Sequence, residues 1–305
     1  MRSALLRIWD HDLAHSFRGS PVTVVAALLT LACVAGAALA PWLALQDPFD
    51  LAALSLNDAF KPPAWIEGGD AAYPLGTDGQ GRDMYSTILY GARISLLVAV
   101  GAVLLAVVAG VLLGLLAGYV GGAFDAFVMR IVDIQLSFPA ILIALLVDGV
   151  ARALLPQEAH GGTLAILVLI LAIAFSDWVQ FARTVRGSTM VEKHKEYVQA
   201  ARVIGRHPLA IMLRHVLPNV MGPVLVIATI RFGLAIITEA TLSFLGVGVP
   251  PTTPSLGTLI RVGNDFLFSG EWWITIFPGV ALIIIVLAVN LLGDWLRDAL
   301  NPKLR

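Results

Sequence analysis

Six long apolar stretches alternate with polar segments along the chain. Gly19 to Gln46, Ile94 to Phe124 and Trp272 to Gly293 contain no charged residue, and Thr163 to Phe181 contains only Asp177, near its end. Ile131 to Val150 carries Asp133 and Asp148 toward its ends and Pro139 inside, and Val220 to Val247 carries Arg231 and Glu239. About 20 apolar helical residues cross a hydrocarbon core about 30 Å thick, so the pattern predicts six transmembrane helices. Pro139 and the acids around it predict that the third span is bent or interrupted. A carbonyl freed there needs a protein or cavity partner rather than lipid. That suits a pore-lining helix and a simple packing kink equally.

Composition narrows the class. Of 305 residues, 58% are hydrophobic and 13% charged, with mean hydropathy +0.85. The charged share is about half that of a soluble domain, so the chain is read as an all-α membrane protein. A net charge of −1 provides no bulk attraction to nucleic acid. The single cysteine, Cys33, excludes an intrachain disulfide and a multi-cysteine metal site. The first apolar run exceeds the roughly 7–15 residues of a signal-peptide core. Pro41 would also follow an Ala38-Leu39-Ala40 cleavage site directly, so a retained anchor is expected.

Charge asymmetry sets the orientation. With the N-terminus inside, fourteen bases fall on the cytoplasmic side (Arg2, Arg7, Arg18, Arg130, Arg183, Arg186, Lys193, Lys195, Arg202, Arg206, Arg214, Arg297, Lys303 and Arg305). Five (Lys61, Arg82, Arg93, Arg152 and Arg261) fall outside. This positive-inside bias places both termini in the cytoplasm. The expected division is a cytoplasmic segment and first helix (1–45), an outer loop (46–92), a five-helix core (93–299) and a cytoplasmic tail (300–305).

Between the fourth and fifth spans lies YVQAARVIGRHPLAIMLRHVLPN, Tyr197 to Asn219. Tyr197, Ala200, Ala201 and Ile204 share one narrow helical face. Gly205 stands where a left-handed C-cap would sit, and Pro208 blocks continuation. A second short helix is expected from about Pro208 to Val216, ended or kinked by Pro218. A helix lying on the inner leaflet is the plainer reading of this composition.

The stretch resembles the cytoplasmic loop of ABC importer permeases, in which Glu-Ala-Ala precedes a glycine and an Ile-x-Leu-Pro ending at fixed spacing. Here the matching residues are Gln199-Ala200-Ala201, Gly205 and His215-Val216-Leu217-Pro218. Gln replaces the Glu and His the Ile, which leaves no carboxylate at the first position. The resemblance implies a coupling loop at about 183–218 that docks on a cytoplasmic ATPase through Gln199, Ala200, Ala201, Arg202, Gly205, Arg206, Leu217 and Pro218.

Further resemblance extends over most of Tyr73 to Lys303. Pro74-Leu75-Gly76-Thr77-Asp78 with Gly81-Arg82-Asp83, Leu136-Ser137-Phe138-Pro139, Glu239-Ala240-x-Leu242-Ser243-Phe244-Leu245-Gly246 and Asn290-Leu291-Leu292-Gly293-Asp294 look like the second permease subunit of dipeptide and oligopeptide importers. Lys61-Pro62-Pro63-Ala64-Trp65 with Glu67-Gly68-Gly69 looks like the dipeptide branch. The resemblance implies a type I importer fold of five core helices plus one N-terminal helix, a homologous permease partner, two ATP-binding subunits carrying ATP and Mg, an outer-face substrate-binding protein and a peptide substrate. It places the chain in the bacterial inner membrane, in contact with lipid.

No catalytic constellation or nucleotide loop is evident, because no lysine follows a glycine. The expectation is a transport subunit with no catalytic residue, metal or cofactor of its own. His11 and His15 form an i, i+4 pair without a third ligand, better read as an interfacial helix. Arg231 and Glu239 are about 12 Å and 80° apart on a helix, so they are not a direct pair. Arg231 has no evident partner in the chain, and Glu239 is expected near the outer interface. With Pro139, these two are the candidates for the translocation path. The alternative is a stand-alone ion-coupled secondary transporter, which would carry midplane ionisable groups and often internal repeats.

The orientation is testable with a reagent confined to the outside of sealed cells. Single cysteines placed in the 47–83 segment are expected to react and those in the 193–214 segment to stay protected. Labelling of the second segment would reverse the topology.

Overall fold

The structure, a computed structural model, describes residues 12–50, 54–154 and 162–299. Arg2, Arg7, His11, Lys303 and Arg305, and the 300–305 tail, lie outside the described residues. The described helices are α1 (Asp12–Gly19), α2 (Pro21–Ala38), α3 (Ala40–Leu43), α4 (Met84–Val120), α5 (Gly122–Leu136) and α6 (Ala140–Leu154). They continue with α7 (Gly162–Glu192), α8 (Glu196–Val203), α9 (Pro208–Ile211), α10 (Leu217–Phe244), α11 (Leu256–Asn264) and α12 (Trp273–Ala299). Five helical stretches are long and apolar enough to cross a bilayer, and the bent pair α5–α6 makes a sixth. The predicted interruption is real: the two halves meet at 98° around Ser137-Phe138-Pro139.

The centre is the pairing of α4 with α7. Gly110, Gly114 and Gly118 recur every fourth residue along one face of α4. A Cβ on them would lie 2.6 Å from the Trp178 carbonyl, 2.4 Å from that of Ala182 and 2.8 Å from that of Arg186. The backbones therefore touch through the missing side chains. Lipid supplies no hydrophobic drive between helices, so this close van der Waals approach is the main attraction available. Phe181, fully buried, fills the seam, and α10 packs across both helices.

α4 has 37 residues and spans about 55 Å, so its two ends mark the two faces of the protein. At its C-terminal end Lys193 Nζ donates to the Gly118 carbonyl at 2.7 Å, placing α8 there. Phe17 stacks edge-on against Trp295, 5.1 Å between centroids, tying α1 to the end of α12. At the N-terminal end Asp83 caps α4 by accepting from the Ser86 amide at 2.8 Å. Asp78 accepts from Arg82 Nε at 2.7 Å, and Arg82 Nη1 reaches the Pro251 carbonyl at 3.3 Å. Trp273 Nε1 donates to the Thr77 carbonyl. The Leu-Gly-Thr-Asp segment is thus a staple joining the 46–83 segment to the starts of α4 and α12. α11, capped by Ser255, was not anticipated from the sequence and closes the same end.

The bent pair runs from one face to the other. Near the α8 end, Arg186 forms a two-point bridge from Nε and Nη2 to Asp125 of α5, at 2.9 and 2.6 Å. At the far end of α6, Arg152 donates from Nη2 to the carbonyls of Val247 and Gly248, each at 2.6 Å, beyond α10. The break between them is held by protein. Ser176 Oγ donates to the Ala140 carbonyl, and Gln135 Nε2 donates to the Phe175 carbonyl.

Gly114→Val is expected to separate α4 from α7, because its first side-chain carbon would meet backbone that cannot rotate away. Overpacking of this kind costs about 1–3 kcal/mol. Thermal unfolding of the purified protein in detergent should shift down by several degrees, and an unchanged profile would show that the seam is loose.

Candidate functional site

The segment between α7 and α10 is a helix, a glycine turn and a second helix. α8 ends in a paired cap: the Gly205 amide donates to the Arg202 carbonyl at 2.9 Å and the Arg206 amide to that of Ala201 at 3.1 Å. The second bond closes across a left-handed residue, and Gly205 has φ +78°. A Cβ there would meet nothing within 4 Å, so the glycine answers to backbone conformation and not to crowding within this chain.

α8 turns only two of its apolar residues inward. Val198 and Ala201 are buried, whereas Gln199, Ala200, Arg206 and Ile204 face outward. Val203 is 87% exposed and Ile204 78%, an apolar pair projecting from the end of the molecule. Arg202 is also exposed, and its guanidinium sits 5.5 Å from the Tyr119 ring centroid, at the end of α4.

Of the two outcomes expected at Pro218, an end or a kink, the second helix does not end there. α9 passes through a π-turn at Met212–Val216 directly into α10, with Leu217 and Pro218 in the first turn of the longer helix. Proline lacks an amide proton and its ring crowds the carbonyl four residues back. The wider turn relieves that crowding without breaking the rod.

Tyr197 joins the three parts. Its hydroxyl donates to Glu192 Oε1 at 2.5 Å, at the end of α7, and accepts from Asn219 Nδ2 at 3.1 Å, in α10. Asn219 Nδ2 also donates to the His215 carbonyl at 2.7 Å, within the π-turn. Burial, and then the neighbouring Glu192 carboxylate, push the Tyr197 phenol up to about 12.

A second polar feature lies mid-helix. Arg231 of α10 donates from Nη1 to Asp177 Oδ1 of α7 at 3.2 Å. This corrects the expectation that Arg231 lacks a partner in the chain. Asp177 looked terminal because the apolar run stops at Phe181, but α7 continues to Glu192 and leaves Asp177 fifteen residues from each end. An unpaired charge within an apolar span is costly, and pairing offsets that cost. Ser176, next to Asp177, holds the Ala140 carbonyl, so the break at Pro139 abuts the same level. Glu239 is elsewhere and fully enclosed, not at a solvated interface. It accepts from Ser95 Oγ and Ser243 Oγ, each at 2.7 Å, and Ser95 in turn accepts from the Leu256 amide. In this conformation it ties α4, α10 and α11 together and borders no opening. A groove of about 410 Å³ between α2, α4, α10 and α12 has only Thr30 and Thr229 as polar lining, so its chemistry is that of a lipid tail.

The family described as "Binding-protein-dependent transport system inner membrane component" matches residues 110–305. The chain belongs to this family. The permease is 38% identical over 304 residues to the di/tripeptide transport system permease protein DppC of Pseudomonas aeruginosa (strain UCBPP-PA14), covering 99% of this chain and 93% of that one. It is 41% identical over 292 residues to the dipeptide transport system permease protein DppC of Escherichia coli (strain K12), covering 95% and 92%. A chain solved in inward-facing conformations of the MetNI methionine ABC transporter superposes with TM-score 0.54 at 22% identity, over 70% of this permease and 96% of that chain. The fold is thus the expected type I ABC importer permease fold, and the family favours an importer subunit over a stand-alone ion-coupled transporter.

The Tyr197 bridge is expected to be insensitive to pH over the physiological range. The bound phenol keeps its proton more tightly than a free tyrosine (about 10), so its contribution is complete below that value and fades as pH rises through about 12. Spectrophotometric titration of wild type minus Tyr197→Phe should show a phenol that ionises at about 12; ionisation at the free value would mean the bridge is absent.

Proposed function

We propose that the permease is one of two membrane subunits of an ATP-driven importer of dipeptides or short oligopeptides in the bacterial inner membrane. Both termini and α8 face the cytoplasm, the 46–83 segment and α11 face outward, and the path runs between this chain and a homologous partner. ATP and Mg act on two cytoplasmic ATPase subunits, and an outer-face binding protein delivers substrate. The names of the relatives, over nearly the whole chain, support the peptide substrate.

The observation that carries the coupling role is the exposed Val203–Ile204 tip of α8, braced by Tyr197 against both α7 and α10. An apolar tip at the basic end of the molecule suits an apolar groove on a partner. Arg206 stands beside it for an acidic rim, and Gln199 and Ala200 face the same side. Movement of the ATPases would push α8, and the Tyr197 bridge would pass the displacement to α7 and, through the π-turn, to α10. The mechanism is alternating access: ATP-driven closure of the ATPases opens the path outward, and hydrolysis returns it inward.

The test is peptide uptake and peptide-stimulated ATP hydrolysis by the purified complex in lipid, with its binding protein. Gly205→Ala should lower coupling partially, since a left-handed cap costs a non-glycine residue about 1 kcal/mol. Gly205→Val and Gly205→Glu should abolish stimulation while the protein still inserts and assembles. Wild-type stimulation in Gly205→Glu would make α8 a passive surface helix.

A further inference from the structure

The ion pair between α7 and α10 is built unlike the other arginine–aspartate bridges of this chain. Arg82–Asp78, Arg152–Asp148 and Arg186–Asp125 close at 2.6–2.7 Å, and each guanidinium makes a further contact, to a carbonyl or to the second carboxylate oxygen. Arg231 reaches Asp177 through one nitrogen at 3.2 Å, with no second hydrogen bond from either side chain among the described residues. A guanidinium offers five donors and a carboxylate about four acceptor positions, so both groups have most of their capacity open. Neither is sealed: the Arg231 side chain is 22% exposed and that of Asp177 11%.

Position within the helices makes this incompleteness informative. Asp177 is fifteen residues from each end of α7, and Arg231 is fourteen and thirteen from the ends of α10. α7 overruns the bilayer, since Arg183, assigned to the cytoplasmic side, is six residues or about 9 Å of helix from Asp177, so the pair lies in the inner part of the span. A structural bridge within the span should be saturated, as the three others are. A loose one suits groups that must change partners. The broken span lies alongside, with exposed Phe138 at the break and Gln135 and Ser176 already committed to holding its ends.

A short peptide carries a matching pair of charges, an ammonium at one end and a carboxylate at the other. Two residues span at most about 7 Å, so both charges can enter one site between two helices. We propose that Asp177 and Arg231 form a transit subsite for the termini of a short peptide, exchanging their mutual bond for one contact with the peptide ammonium and one with its carboxylate. The exchange leaves the net charge at zero throughout, and no group stands unpaired in the membrane. When the peptide leaves, the pair closes again. This rests on the peptide reading above.

The test compares the wild-type complex, with its ATPases and binding protein, with Asp177→Asn, Arg231→Gln, the double Asp177→Asn/Arg231→Gln and the charge swap Asp177→Arg/Arg231→Asp. Assembly is read by copurified ATPase subunits, and dipeptide uptake and labelling by a photoreactive dipeptide are measured in lipid. A packing pair tolerates removal of both charges together, whereas a subsite loses both of its recognition groups. The double variant should assemble, lose uptake by about tenfold or more as charge-assisted contacts disappear, and lose labelling of α7 and α10. Wild-type uptake or undiminished labelling in the double variant would overturn the subsite and leave the peptide reading intact. So would a double variant that fails to assemble but is restored by the swap. A wild-type complex that carries no peptide would overturn the substrate reading, and this proposal with it.

Discussion

Close backbone contact between α4 and α7 is the constraint on which the rest depends. Three glycines spaced by four let two long helices lie carbonyl against Cα, in a solvent that offers no hydrophobic drive for their association. Because that contact fixes α7 along much of its length, it also sets what α7 carries: Asp177 at its middle, Arg186 against Asp125, and Glu192 beneath Tyr197. Neither the coupling end nor the charged middle has an independent scaffold. Both are positions on one rigid rod.

That arrangement explains how a short helix on the surface could act on a path inside the membrane. α8 alone is eight residues and would be marginal in isolation. It is held instead by Lys193 on the end of α4, Arg202 on Tyr119, and the Tyr197–Glu192–Asn219 bridge. Its contacts fall on α4, α7 and α10; α7 and α10 carry the Asp177–Arg231 pair, and α4 and α10 carry Ser95, Ser243 and Glu239. The π-turn at Met212–Val216 lets α10 begin outside the spanning segment and continue through it unbroken, so the tip and the core share a continuous chain of hydrogen-bonded backbone.

Much of this was legible in the sequence. Long apolar runs, three of them free of charge, located all six crossings, since lipid admits few other solutions, and Pro139 marked the broken one. Gly205 announced its cap because the left-handed conformation favours glycine. What was hidden is instructive. The end of an apolar run does not end a helix, so α7 extends eleven residues past Phe181 and moves Asp177 from apparent terminus to centre. Pro218 looked like a stop because a proline blocks a regular α-turn; a π-turn evades the rule. The buried face of α8 is Val198–Ala201, and in so short a helix periodicity alone does not say which apolar stripe meets the protein and which is left for a partner. α11 left only Pro254-Ser255 as a sign, a capping serine in a loop that reads as irregular.

The central claim is that the apolar tip of α8 is the point at which a cytoplasmic ATPase engages this permease. It is tested most directly by proximity in the assembled complex. With Cys33 replaced by serine and a single cysteine at Val203 or Ile204, a short bifunctional reagent should join this chain to an ATPase subunit and arrest peptide-stimulated hydrolysis. A cysteine at Leu56, exposed at the opposite end, should give no such product. Absence of the cross-link from both tip positions in a complex that still hydrolyses ATP in response to peptide would contradict the account.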